Sequence, residues 1–106
     1  MNKQITIEYE GQKYILEYNR QSIELMERQG FSASDFSKKP MTMLPLAFEG
    51  LFYKNHKYLK KSEIDKIFNK LKNKGQLIEV ITEMIVECYN SLTEDSDEGN
   101  VEWEIV

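Results

Sequence analysis

The sequence holds one cysteine, one histidine, one tryptophan and two prolines. A single cysteine, Cys88, excludes an internal disulfide and any zinc site built from cysteines. With His56 the only histidine, metal-ligand spacing is absent, and a nucleophile–base pair would have to unite residues on different helices. The five glycines are isolated, so no Gly-rich loop cradles a phosphate. No run approaches the ~20 apolar residues that span a bilayer. The first residues, Met1-Asn2-Lys3-Gln4-Ile5-Thr6, lack the apolar stretch and small-residue cleavage site of a signal peptide. These absences predict a soluble chain in a reducing compartment, the cytoplasm. No catalytic, cofactor-binding or metal-binding residue is expected, and the chain is not expected to be an enzyme.

What the sequence does have is enough apolar material for a core. Of its 106 residues, 41% are hydrophobic and 11% aromatic, and a domain of this size buries roughly two-thirds of its unfolded surface. The net charge of −4 is unevenly spread. Residues 93–106 carry six acidic groups and no basic one, whereas residues 54–74 hold eight lysines against Glu63 and Asp65. A basic middle and an acidic tail are the main electrostatic features.

Ile5-Thr6-Ile7-Glu8-Tyr9 alternates apolar and polar, as a strand with one buried face does. Glu10-Gly11 supplies a tight turn, and Lys13 to Tyr18 reads as the return strand with Tyr14, Leu16 and Tyr18 on one face. Asn19 is a good N-cap for a helix from about Arg20 to Gln29, ended by Gly30. Phe31 to Pro40 reads as a loop anchored by Phe31 and Phe36. A second helix is expected over about Thr42 to His56 with Pro45 in its first turn, the place where proline is tolerated. Its stripe is Leu44, Ala47, Phe48, Leu51 and Phe52. Ser62 opens a third helix that buries Ile64, Ile67, Phe68 and Leu71 and stops at Gly75. The fourth runs from about Gln76 to Leu92 with Leu77, Ile78, Ile81, Met84, Ile85, Cys88 and Leu92 on one face, and a short turn should pair it antiparallel with the third. The expected architecture is α+β: an N-terminal β-hairpin packed on a small bundle of about four helices. Residues 1–92 form the domain and residues 93–106 an acidic tail, with Val101 to Val106 alternating again as a short strand would.

Glu79, Glu83 and Glu87 recur every four residues, opposite the apolar stripe, and read as a solvated face. Cys88, on the stripe, reads as a buried inert thiol, and His56 as an exposed residue at a helix C-terminus. Lys66, Lys70 and Lys74 repel one another at four-residue spacing. They are expected to face Glu79 and Glu83 or the acidic tail; phosphates of a nucleic acid are the other way to offset them. Trp103, between Val101 and Ile105, would be costly to leave in water. The strip containing it either adds a strand to the hairpin's edge or docks on a partner.

The order of elements resembles a known family. The hairpin Ile-Thr-Ile-Glu-Tyr-Glu-Gly-Gln-Lys-Tyr, the helix around Ile23-Glu24-Leu25-Met26-Glu27 with Gly30-Phe31, the segment Leu44-Pro45-Leu46-Ala47-Phe48-Glu49-Gly50-Leu51-Phe52, and Leu77-Ile78-Glu79-Val80-Ile81-Thr82-Glu83-Met84 are similar in layout to the small tail assembly chaperones of long-tailed bacteriophages, counterparts of the lambda-type G protein. The resemblance covers roughly residues 4–103. It implies a non-enzymatic protein of the bacterial host cytoplasm, absent from the mature virion. Such a protein binds the tape measure protein, keeps it soluble and helps recruit the major tail tube protein. The family carries no fixed contact residues onto this chain. On surface arguments the expected partner-binding residues are Phe52, Tyr53, Trp103 and Ile105, with no membrane and no cofactor involved. A small nucleic-acid-associated regulator using the 54–74 lysines is the alternative. A DNA-mimicking inhibitor acting through the acidic tail is a weaker third.

Overall fold

A two-residue turn starts the fold. In the computed structural model, which describes residues 3–94 and 98–106, β1 (Ile5–Tyr9) and β2 (Gln12–Leu16) pair antiparallel with Ile5 opposite Leu16 and Tyr9 opposite Gln12. Glu10 and Gly11 both have positive φ, 52° and 78°, as a type I′ hairpin turn requires. The pleat turns Ile5, Ile7, Tyr14 and Leu16 to the helices, and Ile15 to solvent. The return strand stops at Leu16, short of the expected Tyr18, because the Glu17 N–H leaves the ladder and donates to the Leu51 carbonyl at 3.2 Å.

The first helix, α1 (Arg20–Arg28), is capped at both ends by local chemistry. Asn19 Oδ1 accepts from the Ser22 N–H at 2.7 Å, and Ser22 Oγ accepts from the Asn19 N–H at 2.8 Å, a reciprocal capping box. At the other end Gly30, with φ 103°, lets Phe31 N–H reach the Met26 carbonyl at 2.9 Å and its own N–H reach Glu27 at 3.1 Å, a Schellman motif. Phe31 is thereby delivered into the core, and its ring meets Phe36 edge-on at 6.0 Å. The expected loop between them contains a single 3₁₀ turn, Ala33–Asp35.

Helix boundaries near the prolines, near His56 and near Gly75 differ from expectation. The second helix, α2, spans Pro40–Gly50, so Pro40 holds the N1 position and Pro45 lies inside the helix, not in its first turn. Pro45 takes the Met41 carbonyl's helical partner away on an exposed side of the helix. Past Gly50 the chain tightens into i→i+3 turns, with Leu51 bonded to Phe48 and Phe52 to Glu49. Leu51 and Phe52 therefore still point inward although the expected helix to His56 does not form. The third helix, α3 (Lys61–Lys70), ends before Gly75 because Leu71 is already extended at φ −70° and ψ 146°, and Asn73 then turns the chain in the left-handed conformation at φ 57°. Gly75 falls inside the first turn of α4 (Lys74–Ser91).

The α+β class stands: a two-stranded antiparallel hairpin followed by four helices. The packing order is different from the expected one. The main neighbour of α3 is α2, while α4 lies on α1 and α2, so no α3–α4 hairpin dominates. Phe48 sits at the centre, with Phe52 at 5.3 Å and Phe68 at 5.1 Å between ring centroids. The lysines follow this order. Lys66 meets Glu63, Lys70 lies over the Tyr9 ring and Lys74 donates to the Leu71 carbonyl, while Glu83 and Glu87 turn to Lys3. The lysine face does not meet Glu79 and Glu83 as expected. Residues 101–106 form no strand, which corrects that expectation too, and Asp95 and Asp97 of the acidic tail lie outside the described residues.

Candidate functional site

Of the four residues expected to meet a partner, the structure withdraws one. Phe52 has 0% exposure and belongs to the core. Tyr53 beside it is half-buried, with its hydroxyl 3.0 Å from both Gln29 Oε1 and Glu49 Oε1, so it ties α1 to α2. Burial first, and then the Glu49 hydrogen bond, push its phenol up to about 12. Trp103 and Ile105 stand open to solvent at 84% and 91% exposure.

The feature that best fits a binding site is a groove the sequence reading did not assemble. Three segments build it: the Phe31–Pro40 connection, the first turns of α2, and the outer face of α4. It encloses about 480 Å³, within the range of ~300–1,000 Å³ typical of ligand pockets. Phe31, Phe36 and Tyr89 supply aromatic walls, and Leu44, Ile78 and Val86 aliphatic ones. Two of its polar side chains are engaged within the fold. Thr82 Oγ1 is spent on the Ile78 carbonyl at 2.8 Å, and the Tyr89 hydroxyl donates to Glu27 Oε2 at 2.7 Å. Burial and that carboxylate push the Tyr89 phenol up to about 12. Beyond Tyr89 a smaller hollow of about 260 Å³ lies between α1 and α4 beside Cys88 and Leu92. Burial pushes the half-buried Cys88 thiol up, against a smaller opposing effect of Arg20, so it is a poor nucleophile.

A second cluster, also not foreseen, closes the hairpin's edge. Glu17 is 5% exposed and accepts from Lys54 Nζ at 2.8 Å, Asn55 Nδ2 at 2.9 Å and Gln4 Nε2 at 3.0 Å. Asn55 Nδ2 also donates to the Ile15 carbonyl at 3.1 Å, and His56 Nε2 accepts from the Ile15 N–H at 3.0 Å. The turns after α2 thus substitute for a third strand along β2. His56 is a partner of that edge, with the Tyr14 ring edge-on at 5.0 Å, and not a free residue at a helix end. Nothing in the local pattern around Glu17 or His56 marks this, because Lys54 and Asn55 lie 37 and 38 residues from Glu17, and His56 lies 41 from Ile15.

The Lys54 hydrogen bond, then that of Asn55, hold the Glu17 carboxyl below its ordinary range against the opposing pull of burial. A carboxylate with a folded pKa below its unfolded one stabilises the fold above the unfolded value of ~4.3. That contribution is lost as pH falls through the folded value. Lys54→Met is therefore expected to move the acid-unfolding midpoint to higher pH and to raise the Glu17 titration midpoint seen by carboxyl NMR. An unchanged midpoint would mean the carboxylate is not held by this ammonium.

Among the described residues no group of three or more His, Cys, Asp or Glu side chains is placed to hold a metal ion, and no helix is long and apolar enough to cross a membrane. The whole chain, residues 1–106, matches the family described as a domain of unknown function (DUF5055), and the chain belongs to that family. No curated protein and no solved structure matches it.

Proposed function

We propose that this DUF5055 chain is a non-enzymatic assembly chaperone of phage tails, working in the bacterial host cytoplasm by holding a long helical client, the tape measure protein, in a soluble state. The observation that carries the reading is the open apolar groove between the Phe31–Pro40 segment, α2 and α4. Its lining is mostly apolar, and the Thr82 and Tyr89 hydroxyls are tied into the fold, so what it offers is chiefly apolar contact and shape. A groove of this kind takes the apolar stripe of an amphipathic helix through side chains spaced three and four residues apart. A tape measure protein is long and largely helical, and such stripes left bare would associate with one another. The link to phage tails rests on the layout resemblance of residues 4–103, and recruitment of the tail tube protein follows from the same resemblance.

The regulator reading needs free lysines along 54–74. Several are engaged within the fold: Lys54 with Glu17, Lys61 with Asp65, Lys66 with Glu63, and Lys70 over Tyr9.

The test is co-expression with the large protein encoded next downstream, comparing its soluble fraction with and without this chain. The expected result is rescue by the wild type and loss of rescue by Val86→Asp. Val86 lines the groove at 50% exposure, and a surface change of this kind leaves stability within about 0.5 kcal/mol. A client equally soluble with Val86→Asp removes the groove from the reading. A client that stays insoluble with the wild type removes the reading itself.

A further inference from the structure

The molecule carries an apolar groove and, on the same chain, an apolar strip that none of the described residues covers. Val101, Trp103 and Ile105 are 90%, 84% and 91% exposed, and in an extended segment alternate residues share one face. Isolated exposed apolar residues are ordinary, but three in register around an indole form a ligand-like edge. We propose that this strip, Val101–Val106, is a detachable sheath for the chain's own groove, with Trp103 seated against the Phe36 and Tyr89 walls until a client stripe displaces it.

Reach, fit and charge all favour the chain's own tail. The groove begins at Tyr89, within the last turn of α4, and runs back to Ile78, roughly 16 Å along the helix at 1.5 Å per residue. Residues 93–100 separate Leu92 from Val101, and eight residues span up to roughly 26–29 Å. The tail can therefore double back over the whole groove with α4 intact. A tether this short holds its ligand at an effective concentration on the order of millimolar, which favours the chain's own strip over a second copy. Glu102 and Glu104 fall on the face opposite Trp103. Lys38 and Lys39 stand exposed between the lining residues Ser37 and Pro40, so the groove's rim carries positive charge beside a strip that carries these two carboxylates. The outer edge of β1 is the other seat for an extended strip, but there Glu102 and Glu104 would come beside Glu8, and like charges directly opposite destabilise.

The inference builds on the groove as the docking site of the proposed function, yet its test needs no client, so the two can fail separately. Trp103 is the only tryptophan, and its fluorescence reports the strip alone. In the full chain at low salt the expected spectrum is blue-shifted, with acrylamide quenching several-fold weaker than for free indole and independent of protein concentration. Val86→Asp, and separately the surface pair Lys38→Glu with Lys39→Glu, should return emission and quenching to solvent values with an unchanged far-UV circular dichroism spectrum. The lysine pair keeps the test decisive should Val86→Asp disturb folding. A wild-type tryptophan as quenchable as free indole overturns the sheath. Protection that rises with protein concentration assigns the groove to a second copy and also overturns it. So does protection that survives both groove variants while the Thr6 and Glu8 amides exchange slowly, because the strip then lies on β1.

Discussion

Phe52→Ala is expected to lower the stability of the fold by about 3–5 kcal/mol, a large share of the ~5–15 kcal/mol available to a domain. The side chain has no exposed surface and meets two aromatic neighbours edge-on, Phe48 at 5.3 Å and Tyr14 at 5.9 Å. It stands where the tightened turns after α2 press on the hairpin, so its loss opens a cavity between two elements that approach from opposite sides. Neither can relax into it without giving up the edge contacts of Glu17 and His56 along β2. Urea unfolding followed by circular dichroism is the measurement, with a lower midpoint at unchanged slope as the expected result. A docking residue would behave differently, leaving the midpoint within about 0.5 kcal/mol of the wild type and changing client solubility alone. Tyr53→Phe is the companion. It removes a hydroxyl shared by Gln29 and Glu49 and should cost about 1 kcal/mol.

The parts of this fold that can be read from the chain are those decided within a few residues. Glu10-Gly11 turns the hairpin, Asn19 and Ser22 cap α1, and Gly30 ends it, each through bonds between near neighbours. The apolar spacing of Ile64 and Ile67, and of Ile81, Met84 and Ile85, marks the buried faces of α3 and α4 correctly. What escapes at the helix boundaries is the outcome of two similar signals competing. Pro45 argues for a first turn, but Pro40 competes for the N1 place and wins, because the helix begins two residues earlier than the apolar stripe suggests. Gly75 looks like a stop signal, yet Asn73 takes the left-handed conformation two residues before it.

The groove was hidden for a related reason. The apolar arc of α4, from Leu77 to Leu92, reads as one stripe facing one core. In the fold it is divided: Ile81 and Met84 are buried, Ile78 and Val86 look into the groove, and Ile85 belongs to both. Val86, outside the assigned stripe and half exposed, was the available sign that the arc is wider than one interface needs. Phe31, Phe36 and Leu44 give no such sign, since their alignment with α4 exists only after α1 and α2 have packed.

That packing rests on a close approach between Gly50 and Met26, and Gly50→Val is expected to destabilise the fold by up to about 3 kcal/mol, the upper end for overfilling a core. A Cβ at Gly50 would overlap Met26 Sδ and stand 2.5 Å from its Cγ. Met26 has no exposed surface to swing into. The residue also lies outside the positive-φ group of Gly11 and Gly30, so the constraint is the neighbouring helix and not the backbone. A double-mutant cycle separates this cause from helix propensity. Met26→Ala alone should cost about 2–5 kcal/mol through its cavity. Combined with Gly50→Val it should cost less than the sum, by a coupling of about 0.5–3 kcal/mol, because the valine fills part of the space the methionine leaves. Strict additivity would mean the two helices do not touch at this point. The same crossing reaches the groove, since the Met26 carbonyl holds the Phe31 N–H at 2.9 Å and Phe31 forms part of the groove wall. Gly50→Val should therefore weaken client rescue and release Trp103 from the groove although Gly50 lines neither surface. Val86→Asp should do both without moving the urea midpoint.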